Sequence, residues 1–217
     1  MMQFVFCHGF GFDIHFWDHL VPYFSQKNCS FIDLGYFKCP ASPLNFQEQT
    51  IIGIGHSLGL LKLISMYENF NYLIGLNSFV NFLGNDQTLH GIRYRELTAL
   101  KQSFTKNPVQ TLKNFYKRCG VRQFVNQRMT SHLDLNLILS DLEFLKKDYA
   151  LPPIPTLILT SNDDSVVPKE IIEDNFLRPS SPQVQVDIIP NTQHGLGFKK
   201  PLEVYEKIMG FLNDKVI

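Results

Sequence analysis

Charge is scarce in this 217-residue chain: 18% of its residues are Asp, Glu, Lys or Arg, and 20 basic residues balance 20 acidic ones. A zero net charge speaks against a globally basic nucleic-acid binder and against an acidic, solvated chain without a core. Cysteine is scarce too. Cys7, Cys29, Cys39 and Cys119 form no C-x-x-C pair and are too scattered for a disulfide framework or a thiolate metal site, so they are read as reduced thiols. No apolar run approaches the roughly 18 residues that would span a bilayer. The first residues lack the basic start and long apolar stretch of a secretory signal, so a cytoplasmic location is expected. Repeats and low-complexity stretches are absent.

What the chain does have is apolar mass. Hydrophobic residues make up 44% and aromatic residues 13% of it, enough to bury one full core. Short apolar runs at Gln3–Cys7, Cys29–Leu34, Thr50–Ile54, Tyr72–Ser78, Thr156–Thr160 and Val184–Ile189 read as strands, the first of them buried. Helical patterns follow at Phe16–Phe24, Leu58–Tyr67 and Pro201–Leu212, and Lys38–Asn45, with Pro40 and Pro43, reads as a loop. Between residues 82 and 150 the pattern is helical throughout, in Leu97–Phe104, Val109–Tyr116 and Leu135–Leu145. This predicts an α/β core from residues 1–81 and 151–217, its sheet mostly parallel with about six strands, interrupted by an all-helical insertion over 82–150.

In such a sheet the functional residues gather where loops leave the carboxyl ends of strands. Directly after Thr50–Ile54 stands Gly55-His56-Ser57-Leu58-Gly59, a G-x-S-x-G that opens a helix. Glycines two before and two after Ser57 allow a sharp strand-to-helix turn that projects the hydroxyl from the sheet. A serine needs an imidazole as base, and the imidazole needs a carboxylate to orient it. Both are available at later strand ends: Asp163 and Asp164 after Thr156–Thr160, and His194 after Val184–Ile189. One of the two aspartates is expected to serve as a turn cap. The loop His8-Gly9-Phe10-Gly11 follows the first strand, and the backbone N–H groups of Phe10 and Leu58 can meet an oxygen that becomes negative during acyl transfer. His8 is read as a structural hydrogen-bonding group. His15 and His19, four residues apart, lack a third metal ligand, and no metal site is assigned.

The helical segment is locally charged. Nine basic residues between Arg93 and Arg128 face one acid, Glu96, an excess of eight positive charges in an otherwise neutral chain. If these helices cover the site, their field gathers an acidic partner; a solvated helix surface is the plainer alternative. Phe115 and Tyr116, with Phe10, are candidates to shape an apolar substrate channel, although Phe115 and Tyr116 also suit the core of the helical segment.

Taken together, these residues resemble the α/β-hydrolase carboxylesterases, and among them the BioH-type pimeloyl-[acyl-carrier-protein] methyl ester esterases. The resemblance rests on His8-Gly9-Phe10-Gly11 with Phe16-Trp17, on Gly55-His56-Ser57-Leu58-Gly59, on Asp164-Ser165-Val166-Val167-Pro168 as D-x-x-V-P, and on His194. Leu97–Gly120 and Leu135–Leu145 look like that family's helical arms. The resemblance implies a trimmed α/β-hydrolase fold with a helical lid and catalysis by Ser57, His194 and Asp164, the last chosen over Asp163 for its place in D-x-x-V-P. It implies an oxyanion hole at Phe10 and Leu58 and no cofactor. The basic lid, including Lys113, Lys117, Arg118, Arg122 and Arg128, would receive an acidic acyl-carrier protein bearing the ester. The protein is expected to act as a monomer. A general short-chain esterase or thioesterase, or a non-catalytic hydrolase-like binding protein, are the alternatives.

Overall fold

The computed structural model describes residues 2–37, 50–66, 69–124, 133–179 and 181–215. The predicted loop at Lys38–Asn45, Cys39 and Arg128 lie outside the described residues. Six strands form one sheet in the order β2-β1-β3-β4-β5-β6: β1 (Met2–Cys7), β2 (Cys29–Ile32), β3 (Thr50–His56), β4 (Tyr72–Leu76), β5 (Thr156–Thr160) and β6 (Val184–Ile188). All five pairings are parallel. The central strands are buried almost throughout, as expected of a parallel sheet covered on both faces. This is the α/β-hydrolase fold.

The strand order places the site. The chain leaves β1 for the edge strand β2 and then crosses back over β1 to lay down β3, so β1 and β3 are neighbours whose following loops part in opposite directions. Cys7 pairs with Gly55 in that register, which sets the Phe10 loop and the Ser57 turn side by side at the crevice of the switch point.

Helix α1 (Leu58–Met66) leaves the turn after β3, and α2 (Gln87–Lys106), α3 (Pro108–Cys119) and α4 (Leu135–Phe144) belong to the helical segment. Asp86, Asn107 and Asp134 accept N–H groups of the first turns of α2, α3 and α4 through their side chains. Gly120, at φ +75°, ends α3 in the left-handed conformation that glycine adopts without strain. After β5 come α5 (Lys169–Ile172), which continues into a π turn, and, after β6, α6 (Leu196–Lys199) and α7 (Pro201–Lys215).

One predicted helix is corrected. Phe16–Phe24 is not an α-helix but lies across two 3₁₀ turns, Ile14–Trp17 and Val21–Tyr23. Pro22 has no N–H to donate and its ring disfavours a continuous helix, so the segment folds as separate turns. The apolar pattern survives because Phe16, Trp17 and Leu20 still face the core.

The helical segment is tied to the sheet layer at both ends. Asp141 of α4 accepts from Lys62 of α1 at 2.5 Å and from the Tyr36 hydroxyl at its other oxygen. On α3, Tyr116 is fully buried, and its hydroxyl donates to the Gly11 carbonyl at 2.5 Å. Phe115 meets Phe10 edge-on at 5.6 Å between ring centres, the arrangement that aromatic quadrupoles favour.

Candidate active site

The turn after β3 is built by exclusion. A Cβ at Gly55 would lie 2.4 Å from the backbone nitrogen of Leu60, and one at Gly59 would lie 2.1 Å from the Cys7 carbonyl oxygen. Only glycine lets β3, α1 and β1 come this close. Ser57 between them is held at φ +52°, a left-handed conformation that a side chain rarely takes. Its N–H donates to the Leu76 carbonyl at 2.9 Å, so the turn is pinned to the next strand.

His194 and Asp164 are both buried and joined by a 2.7 Å contact between His194 Nδ1 and Asp164 Oδ2. A carboxylate only accepts, so Nδ1 carries the proton and Nε2 of a neutral ring keeps its lone pair. The other oxygen, Asp164 Oδ1, accepts the N–H groups of Val166 at 2.7 Å and Val167 at 2.9 Å. Asp163 plays the capping role: its Oδ1 accepts from the Ser161 hydroxyl and from the N–H groups of Thr192 at 3.2 Å and Gln193 at 3.1 Å. It thereby joins the acid loop to the loop of His194.

His56, beside Ser57, brings that loop to the turn. Its ring lies 4.7 Å from that of His194, and its Nε2 donates to the His194 carbonyl at 2.9 Å. Burial holds its pKa well below the ordinary imidazole value, with the neighbouring His194 adding to the effect. His56 is therefore a neutral scaffold. His8 is a structural hydrogen-bonding group: Nε2 accepts from the Leu34 N–H at 3.0 Å and Nδ1 donates to the Gly9 carbonyl at 3.0 Å. His15 pairs with Asp18 while His19 stacks on Phe198, and the described residues hold no cluster fit for a metal ion.

A cavity of about 250 Å³ opens above Ser57. Phe10 and Leu58 line it together with Ser57, and Leu58 is the first residue of α1, where the helix leaves N–H groups without intrahelical partners. Phe79, Phe82, Leu97, Phe115 and Leu142 supply apolar walls, and Arg93, Glu96 and Arg118 a charged one.

The structure separates the other predicted site residues. Phe115 lines the cavity, whereas Tyr116 is absent from its lining: its ring packs among Phe12 and Phe124 and its hydroxyl donates to the Gly11 carbonyl, which anchors α3. Arg118, exposed at the cavity rim, also lines the cavity and donates to the Ser165 carbonyl at 2.5 Å. Arg93 is buried over the Phe82 ring and bound to Glu96 at 2.6 Å. Lys113 is half-buried, whereas Lys117 and Arg122 are exposed.

Asn77 escaped the sequence reading. It follows β4, which ends at Leu76, two residues earlier than the apolar run suggested, and turns left-handed at φ +49°. From there its Nδ2 donates to Asp164 Oδ2 at 2.5 Å and to the Gln193 carbonyl at 2.7 Å. Its position at the carboxyl end of a central strand was the available signal.

No protein-family model and no curated protein matches the chain. Solved structures do match in fold. An esterase from Exiguobacterium antarcticum superposes with a TM-score of 0.78 at 15% identity, over 98% of this chain and 92% of that one. MenH from S. aureus gives 0.73 at 17% identity over 100% and 95%. An epoxide hydrolase from Bacillus megaterium gives 0.72 at 18% identity over 98% and 94%. At such identities the likeness establishes the α/β-hydrolase fold, and the chemistry has to be argued from the site.

Proposed function

We propose that the chain is a serine carboxylesterase that hydrolyses the methyl ester of a pimeloyl chain carried on acyl-carrier protein, releasing methanol in biotin synthesis. It would act in the cytosol as a monomer and without a cofactor. The observation that carries the reading is the buried His194–Asp164 pair, 2.7 Å apart, its histidine ring 4.7 Å from that of His56, the sequence neighbour of a serine held at φ +52° that lines a largely apolar cavity.

In this reading Ser57 Oγ attacks the ester carbonyl while His194 Nε2 takes its proton, and Asp164 orients the ring and stabilises the imidazolium. The carbonyl oxygen becomes negative and is met by the N–H groups of Phe10 and Leu58; one such donor is worth about 2.7 to 4 kcal/mol. The tetrahedral species expels methanol, which receives the proton from His194, and leaves an acyl group on Ser57. Water then repeats the sequence through the same base and frees the carboxylate. The cavity lies just under the usual range for ligand pockets, about 300 to 1,000 Å³, which suits a slender chain.

Carrier docking is supported by Arg95, Lys106, Lys117 and Arg122, exposed side chains that form no ion pair among the described residues. Lys113 lies on the same helix as Lys117. The test compares methyl pimelate free and carrier-linked, at low and high salt, in wild type and in a Lys117→Glu, Arg122→Glu variant. The reading expects a carrier preference that salt weakens and the double variant loses, with hydrolysis of the free ester unchanged. Equal rates on both substrates would instead make this a general short-chain esterase.

A further inference from the structure

Two arginines of the helical segment reach the Asp164 carboxylate through the backbone. Asp164 Oδ1 is gripped by two N–H groups, those of Val166 and Val167. The first belongs to the peptide unit whose carbonyl is that of Ser165, the second to the unit whose carbonyl is that of Val166. Arg118 Nη2 donates to the Ser165 carbonyl at 2.5 Å, and Arg93 Nη2 donates to the Val166 carbonyl at 2.5 Å. Each peptide unit that holds the carboxylate is thus held at its other end by a guanidinium, one from α3 and one from α2. Glu96 braces the pair, 2.6 Å from Arg93 and 3.9 Å from Arg118.

A peptide group whose oxygen accepts from a cation is polarised and donates more strongly through its N–H. We propose that Arg93 and Arg118 are positioning residues that hold Asp164, and through it His194, in working geometry by way of these two peptide units. The proposal rests on the assignment of Ser57, His194 and Asp164 made above and adds a coupling to it. Because α2 and α3 also wall the cavity through Arg93, Glu96 and Arg118, a displacement of either helix slackens the grip on the acid. The helical segment then does more than cover the substrate: its seating on the acid loop sets whether the histidine has an oriented partner.

Arg118 is the residue to change, since its side chain is 46% exposed and its loss leaves no buried charge; Arg93, by contrast, is 4% exposed and paired with Glu96. With a small neutral ester, Arg118→Met should lower kcat by about tenfold while KM stays within about twofold, the pattern of lost positioning. Fluorophosphonate labelling of Ser57 should slow by a similar factor. Arg118→Lys keeps a donor for the Ser165 carbonyl and should recover most of the rate, at a melting temperature equal to that of Arg118→Met. Wild-type kcat in Arg118→Met, an effect confined to KM, or rates that follow melting temperature across the variants would each overturn the proposal. Ser57→Ala, measured alongside, separates the two levels. Wild-type turnover in that variant removes the active-site assignment itself, whereas an inert Ser57→Ala beside a fully active Arg118→Met removes only the arginine grip.

Discussion

Asn77 and Asp164 share one short contact: the side-chain amide of the first donates at 2.5 Å to the carboxylate oxygen of the second that also meets His194. Asn77 lies at the end of β4, and Asp164 lies in the loop after β5, two strands that are neighbours in the sheet. The contact therefore fixes the acid against the sheet rim from the side opposite to Val166 and Val167.

Asn77→Ala should reduce kcat by about tenfold to a hundredfold, because a hydrogen bond to a charged group is worth about 1.5 to 3 kcal/mol. Asn77→Asp should be worse than Asn77→Ala, since two buried carboxylates at this distance cannot both ionise and one must hold a proton. Steady-state kinetics on the three proteins checks the order. Asn77→Asp at or above the rate of Asn77→Ala would show that the amide does not act on Asp164.

Tyr116→Phe should destabilise the fold by about 1 to 3 kcal/mol, since the Gly11 carbonyl loses a buried donor. The same change loosens the loop that carries Phe10, so kcat should fall more than KM rises. Chemical denaturation together with kinetics measures both effects. Unchanged stability and an effect confined to KM would return Tyr116 to the role of a substrate contact.

Gly59→Ala should be among the most damaging small substitutions in the molecule. Its Cβ would lie 2.1 Å from the Cys7 carbonyl oxygen, and β1 is held in place by its pairing with β3, where Cys7 meets Gly55. Overpacking ordinarily costs about 1 to 3 kcal/mol, and a clash with backbone belongs at the top of that range. Gly91→Ala, where a Cβ meets nothing within 4 Å, is the control and should leave the unfolding midpoint unchanged or raise it.

Asp163 predicts an acid-side loss of stability. Burial alone would push its carboxyl up, but the hydrogen bonds from the Ser161 hydroxyl and from the Gln193 and Thr192 N–H groups hold it below the ordinary value of 3.8. A group whose pKa is depressed by folding contributes fully above its unfolded value and loses that contribution as pH falls through the folded one. Wild type should therefore exceed Asp163→Asn in stability at neutral pH, with the gap shrinking below about pH 4. A gap that stays constant to pH 2 would show that the carboxylate charge plays no part.

What could be read from the chain was what is local in it. The sharp turn around Ser57 needs glycines at fixed offsets, and those offsets are visible without coordinates. The same holds for the strand ends that carry Asp164 and His194. The helix expected over Phe16–Phe24 failed at Pro22, a local signal given less weight than the apolar spacing. Other features are non-local. Periodicity shows that Tyr116 is buried but not that a carbonyl 105 residues away takes its hydroxyl. Arg118 and Arg93 look like surface charge until the fold brings them to carbonyls 47 and 73 residues further on. Asn77 reads as the tail of a strand until its backbone turns left-handed and aims the amide at Asp164.

The most direct test of an activated Ser57 served by His194 is mass spectrometry of the protein after reaction with a fluorophosphonate. One adduct on the peptide containing Ser57, formed fast in wild type and lost in both Ser57→Ala and folded His194→Ala, is the expected result. An adduct elsewhere, or labelling of Ser57 at an undiminished rate without His194, would contradict it.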